Sequence, residues 1–383
     1  MDMKNFVCLF NLILLALAVN GSPVTRGLGG KIVMCYLEGM AAARPQAEVR
    51  FNPEDLDVTI CTHVVYNRAV VTKDLTVVPK DKEFDLKEDG GKGLYNRTLA
   101  LKEINPALKI IINVYDNDEE IKKQQASRNS SALEIFATNA ADFVESRGFD
   151  GMDFRTLNFK VFGEVAPFLR REFDRRGLSL ISFILPPDAP ADVKIELTEP
   201  LSRNFDLIVM GSYWKVPNVQ TEMFSSIAML EMMVDGYASL GIDFDKLVVA
   251  IPAFCISLKL CSRHDSGVQS PFCGGGDEGL YEETKMVLHS SELMRKMSNT
   301  SEDWVMVKDE YSGLPYAHSK SLQWASFEDS ESVRKKAQFI LERNLAGAAI
   351  MNVDMEDFKG AFTEGGETFP LTRAAFNALN GEP

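Results

Sequence analysis

Eight short runs, most of them rich in valine, isoleucine and leucine, punctuate this chain, and their spacing constrains the fold more than any other feature. They are Lys31 to Leu37, Ile60 to Tyr66, Leu108 to Tyr115, Phe149 to Phe154, Leu178 to Leu185, Phe205 to Gly211, Leu247 to Pro252 and Ala346 to Val353. Between them lie longer segments with a helical apolar stripe, the best being Ala132 to Arg147, Val161 to Arg176, Met223 to Leu240 and Glu331 to Asn344. Short β-branched runs alternating with segments of helical periodicity are the signal for a parallel sheet built from βαβ units. Eight such units predict an α/β chain folded as a (β/α)8 TIM barrel, with a doubly wound sheet as the alternative that the pattern alone leaves open. Gly148, Gly177, Gly241 and Gly347 stand just after helix ends, where a left-handed residue is needed.

One interval breaks the rhythm. Residues 255–326 hold Cys273-Gly-Gly-Gly276 and the β-like runs Trp304 to Val307 and Leu322 to Ala325, and they read as a small α+β insertion after the seventh strand. At the other end, Lys4 precedes an apolar run from Phe6 to Val19, broken only by Asn11, and small residues follow at Val19-Asn20-Gly21. This predicts a secretory signal peptide over 1–21, since a membrane span needs about twenty apolar residues. The mature chain is then one barrel domain over 22–383, secreted and extracellular. With 41 Lys and Arg against 55 Asp and Glu, a net charge of −14, it repels nucleic acid and anionic membranes, and neither is expected as a partner.

Cys8 leaves with the signal, and Cys35, Cys61, Cys255, Cys261 and Cys273 remain, an odd number that leaves at least one unpaired within the chain. No C-x-x-C pair is present and there are only four histidines, so no metal site and no cofactor are expected. The sequons Asn96-Arg-Thr98, Asn129-Ser-Ser131 and Asn299-Thr-Ser301 are glycan acceptors in a secreted protein.

Six separated stretches carry a family resemblance: Lys31-Ile-Val-Met-Cys-Tyr36, Phe51-Asn-Pro-Glu-Asp-Leu56, Cys61-Thr-His-Val-Val-Tyr66, Gly148-Phe-Asp-Gly-Met-Asp153, Lys246-Leu-Val-Val-Ala-Ile-Pro252 and Asp354-Met-Glu-Asp-Phe358. In these the chain resembles glycoside hydrolase family 18, the chitinases and chitinase-like lectins. The resemblance implies a barrel with the insertion placed above, and a disulfide from Cys35 to Cys61; a second disulfide is expected among Cys255, Cys261 and Cys273. It also implies a motif, D-x-x-D-x-D-x-E on the fourth strand, whose Glu protonates the glycosidic oxygen while the preceding Asp orients the sugar's own N-acetyl group as nucleophile. Alternate strand positions would point these groups into the barrel at its C-terminal end.

Here the run reads Asp150-Gly-Met-Asp153-Phe-Arg155-Thr-Leu157. Arg155 stands in place of the third Asp and Leu157 in place of the acid, and leucine cannot donate a proton. General acid catalysis contributes about 10²–10⁴-fold, so the chain is expected not to be an enzyme. The family's M-T-Y-D segment reads Met210-Gly-Ser-Tyr213-Trp214, and the Trp that floors its central sugar subsite matches Met351. Asp150 and Asp153 read as structural, bonded to neighbouring strand ends, with a catalytic remnant as the alternative. Arg155 needs a partner, which Asp153 or Asp116 would supply, or else an anionic ligand. Tyr36, Tyr213, Trp214, Met210, Met351 and Arg155 are the candidate ligand contacts, Tyr36 being equally readable as core. The expected function is binding without hydrolysis, of a protein ligand or, weakly, of chitin and N-acetylglucosamine oligomers. A residual or altered glycosidase is the alternative.

Overall fold

The computed structural model describes residues 30–116, 119–128, 131–156, 158–184, 199–211, 219–239, 241–281, 285–299 and 303–381. Eight parallel strands close on themselves: β1 (Ile32–Glu38), β2 (His63–Val71), β3 (Lys109–Asp116), β4 (Gly151–Thr156), β5 (Ser179–Ile184), β6 (Leu207–Gly211), β7 (Leu247–Pro252) and β8 (Gly347–Met351). Each pairs with the next, and β8 pairs back onto β1, so that Tyr36 lies level with Val65 on one side and Met351 on the other. The (β/α)8 barrel expected from the eight apolar runs is therefore the fold.

Each strand has two buried faces, which is why the runs are mostly apolar; β7 is buried at every position. One set of side chains, including Met34, Val65, Ile111, Ile181, Val209 and Val248, fills the barrel interior. The alternate set, including Val33, Val64, Ile112, Phe154, Ile208 and Val249, meets the helix layer. Among that layer are the helices Ser131–Arg147, Phe159–Arg176, Ile227–Ser239 and Ser330–Glu342. Gly148, Gly177 and Gly241 take the left-handed conformation after three of them, with φ of 84°, 66° and 83°. Gly347 does not: the fourth helix turns at Asn344, with φ 53°, and Gly347 already belongs to β8. Its glycine is required by close approach instead, since a Cβ there would lie 2.0 Å from the carbonyl oxygen of Ile32.

Between β7 and β8 the chain builds a separate antiparallel sheet of six strands, with Phe254–Leu260 at its centre. Phe272–Gly275 and Val287–His289 flank that strand on one side; Gln323–Ser326, Leu314–His318 and Val305–Asp309 follow in order on the other. Trp324 is buried with Ile256, Leu258 and Leu314 in the sheet's own core. Two disulfides are present, Cys35–Cys61 and Cys261–Cys273, which leaves Cys255 as a buried thiol. The insertion is tied to the barrel's C-terminal end: the N–H of Ala253 donates to the carbonyl of Met351 at 2.7 Å, and the hydroxyls of Ser290 and Ser291 donate to that of Met355. No described helix is long and apolar enough to cross a membrane, and no described group of acidic, His or Cys residues would hold a metal ion.

Candidate functional site at the barrel mouth

Strand periodicity alone separates Asp150 from Asp153, because the two positions differ by an odd number of residues and lie on opposite sides of the strand. Asp150 precedes β4 at the bottom of the barrel. Its carboxylate accepts from the N–H of Ile110 and from Lys102 Nζ, both at 2.8 Å. Asp153 points inward near the mouth and is fully buried. Its Oδ2 accepts from Tyr36 Oη at 3.2 Å, from Asn113 Nδ2 at 2.9 Å and from Arg155 Nε at 3.1 Å. Arg155 Nη2 completes the ion pair at 3.0 Å, whereas Oδ1 has no hydrogen-bond partner among the described residues.

Arg155 therefore has Asp153 as its partner. Asp116, the other carboxylate in view, faces away and caps the helix Glu120–Arg128, accepting from the N–H of Glu120 at 2.7 Å; burial pushes its pKa up to about 6. The guanidinium of Arg155 lies over two rings, with Cζ 4.1 Å from the centroid of Phe183 and 5.3 Å from that of Tyr36. Such contacts each contribute about 0.5–2 kcal/mol. Burial, reinforced by the negative charge of Asp153, raises the pKa of Tyr36 well above its ordinary value, so Tyr36 serves the site as a neutral hydrogen-bond donor.

Met351 faces the barrel interior beside Tyr36, almost wholly buried, at the end of β8. Met210 does not belong here. It is fully buried on the outer face of β6, in the layer between barrel and helices, so the expectation that it contacts a ligand is corrected: the inward position is its neighbour Gly211. Leu157, Tyr213, Trp214 and the sequon residue Asn129 lie outside the described residues, as does the whole of 1–21. Asn96 and Asn299 are exposed, the first on the helix Leu94–Leu99 and the second just beyond Ser290–Ser298.

Four mouth residues escaped the sequence reading as ligand contacts. Tyr115 and Phe183 occupy inward positions at the ends of β3 and β5, and counting by twos from Ile111 and Ile181 finds both. Arg68 lies where the pairing of β2 with β3 slips between Tyr66 and Ala69, with its Cζ 5.6 Å from the Tyr115 ring. Glu38 ends β1; burial, with the negative charge of Asp354 adding to it, raises its pKa to about 7. Asp354 itself is paired with Arg44 at 2.6 Å in a buried bridge. The peptide bonds Asn67–Arg68 and Met351–Asn352 are cis.

A closed eight-stranded barrel with its polar and aromatic groups gathered at the C-terminal strand ends defines a chain of the TIM-barrel class, in which ligand sites lie at that end. Residues 32–356 match Glycosyl hydrolases family 18, and the chain belongs to that family. Its relatives include "Probable chitinase 10" of Drosophila melanogaster, 28% identical over 377 residues that cover 91% of this chain and 16% of the fly protein. Among solved structures, catalytic domain 2 of the Ostrinia furnacalis Group II chitinase superposes with a TM-score of 0.82 at 24% identity, covering 92% of this chain and 97% of that one. Human YKL-39, described as a pseudo-chitinase with retained chitooligosaccharide binding properties, gives 0.79 at 23% identity, covering 91% and 99%.

Proposed function

We propose that this protein is a secreted, chitinase-like member of the family that acts by binding at the barrel mouth and does not hydrolyse glycosidic bonds. The observation that carries the reading is the Arg155–Asp153 ion pair. The motif's last inward carboxylate is held by a guanidinium that also covers the rings of Tyr36 and Phe183, and no second carboxylate accompanies it on β4. An N-acetyl group acting as nucleophile needs a carboxylate available to orient it, and the leaving oxygen needs an acid where the sequence has Leu157. Binding without turnover has a precedent of fold in YKL-39, and carbohydrate is the ligand class the family favours. Under this reading the chain carries a signal over 1–21 and glycans at Asn96, Asn129 and Asn299, and a protein ligand remains an alternative occupant of the same mouth.

The purified protein is expected to release no reducing ends from chitin oligomers above a buffer blank. Restoring both carboxylates, Arg155→Asp with Leu157→Glu, should still give little turnover, because Met351 remains where the family's sugar floor is an indole. Clear hydrolysis by the unmodified protein would overturn the proposal.

A further inference from the structure

Arg68 is a second guanidinium at the mouth, and the fold makes little use of it. It is half-buried and stacked on Tyr115, yet among the described residues its side chain has neither a hydrogen bond nor an ion pair. Tyr115 pairs in register with Arg155, whose guanidinium lies on Phe183. Arg68, Tyr115, Arg155 and Phe183 thus form one band across four consecutive strands, β2 to β5, two positive charges alternating with two rings. Two carboxylates oppose them. Asp153 is tied to Arg155, and Glu38, which faces Arg68, Arg44 and Asp354, carries only part of its charge at neutral pH because its pKa stands near 7.

This band is an exception on a chain whose net charge is −14. A neutral sugar covering Arg68 would strip water from a guanidinium and return no compensating charge. A carboxylate matches the planar fork of an arginine in two parallel hydrogen bonds, and an arginine held flat on a ring is already ordered to make them. We propose that the barrel mouth binds an acidic saccharide, a glycan carrying carboxylate groups, with Arg68 as the principal contact and Arg155 as the second positive charge. The proposal rests on the reading of the mouth as a carbohydrate site that binds without hydrolysis, and it replaces neutral chitin with an anionic ligand there.

The test is calorimetry on the full chain with three probes: a hexasaccharide alternating N-acetylglucosamine and glucuronate, a chitin hexamer, and a hexaglutamate peptide. The acidic hexasaccharide should bind at least about tenfold more tightly than the chitin hexamer, and its affinity should fall as salt is raised. Arg68→Gln should weaken it by about tenfold with an unchanged melting temperature, while Lys320→Gln, at an exposed ion pair on the insertion, should leave it alone. Chitin binding as well as or better than the acidic sugar, hexaglutamate matching it, affinity indifferent to salt, or a folded Arg68→Gln protein with undiminished affinity would each overturn the proposal. The probe comparison and the salt series use the unmodified protein, so they decide the matter even where the variant does not fold. Release of reducing ends from either oligosaccharide is measured separately, and would sink the non-hydrolytic reading rather than the preference for acid groups.

Discussion

At the bottom of the barrel Asp150 gives its carboxylate to a backbone N–H and to Lys102, whereas near the mouth Asp153, on the same strand, is met mainly by side chains: Tyr36, Asn113 and Arg155. The bottom arrangement is repeated two strands away. Asp206, just before β6, accepts from the N–H of Leu180 at 2.7 Å and pairs with Arg170 at 2.9 Å, as Asp150 does with Ile110 and Lys102 before β4. A carboxylate bound to a strand's own N–H belongs to the framework, and the same motif would need it whatever the protein did. A carboxylate held by side chains can change its role when one of them changes. The contrast separates a carboxylate fixed by the framework from one set by its side-chain neighbours.

The contrast can be broken most sharply at Arg155. Arg155→Leu leaves the fully buried Asp153 without its counter-charge and should cost about 3–5 kcal/mol in urea unfolding. Adding Asp153→Asn should recover most of that loss, so the two changes together are strongly non-additive; a neutral single variant would mean that the mouth pair is not the coupled unit described above. At the bottom, Asp150→Asn and Asp206→Asn should each cost about 1–2 kcal/mol, for a charge-assisted bond to an N–H lost to a weaker one. These two costs should simply add, because the aspartates share no partner. The remaining effect, at Glu38, depends on pH. Its pKa rises from 4.5 to about 7 on folding, so the folded chain holds that proton more firmly. The associated stability is complete below pH 4.5 and is lost as the pH climbs to about 7. Glu38→Gln should flatten the fall in unfolding free energy across that window, and an unaltered slope would show that Glu38 does not titrate there.

The barrel strands are legible because burial on both faces favours apolar residues at most positions, and each of the eight runs overlaps a strand. Which face a side chain joins takes a further step, counting by twos from a known inward residue. That step separates Arg155 and Asp153, which share a face, from Asp116, which does not share the face of Asn113; it also turns Met210 outward. The insertion is harder to read. The β-like runs Trp304 to Val307 and Leu322 to Ala325 overlap the strands Val305–Asp309 and Gln323–Ser326, whereas Phe272–Gly275 is half glycine and carries no clear strand signal. The choice of Cys273 over Cys255 as partner of Cys261 rests on the pairing of Phe272–Gly275 with Phe254–Leu260, a contact that spacing does not reveal. Arg68 is hidden for a similar reason: its stacking on Tyr115 depends on the slip in register between β2 and β3.

The hydrogen bonds that close β8 against β1 join residues about 300 positions apart, with the six-stranded insertion coming between β7 and β8. As the chain leaves the ribosome, β1 to β7 can pair in order as they emerge, but the sheet keeps two bare rims until β8 arrives. One of those rims belongs to β1, which carries Tyr36, and the other to β7, next to Ala253, which anchors the insertion. Until β8 is made, those two rims have no partner strand, and the ring seals only with the last strand.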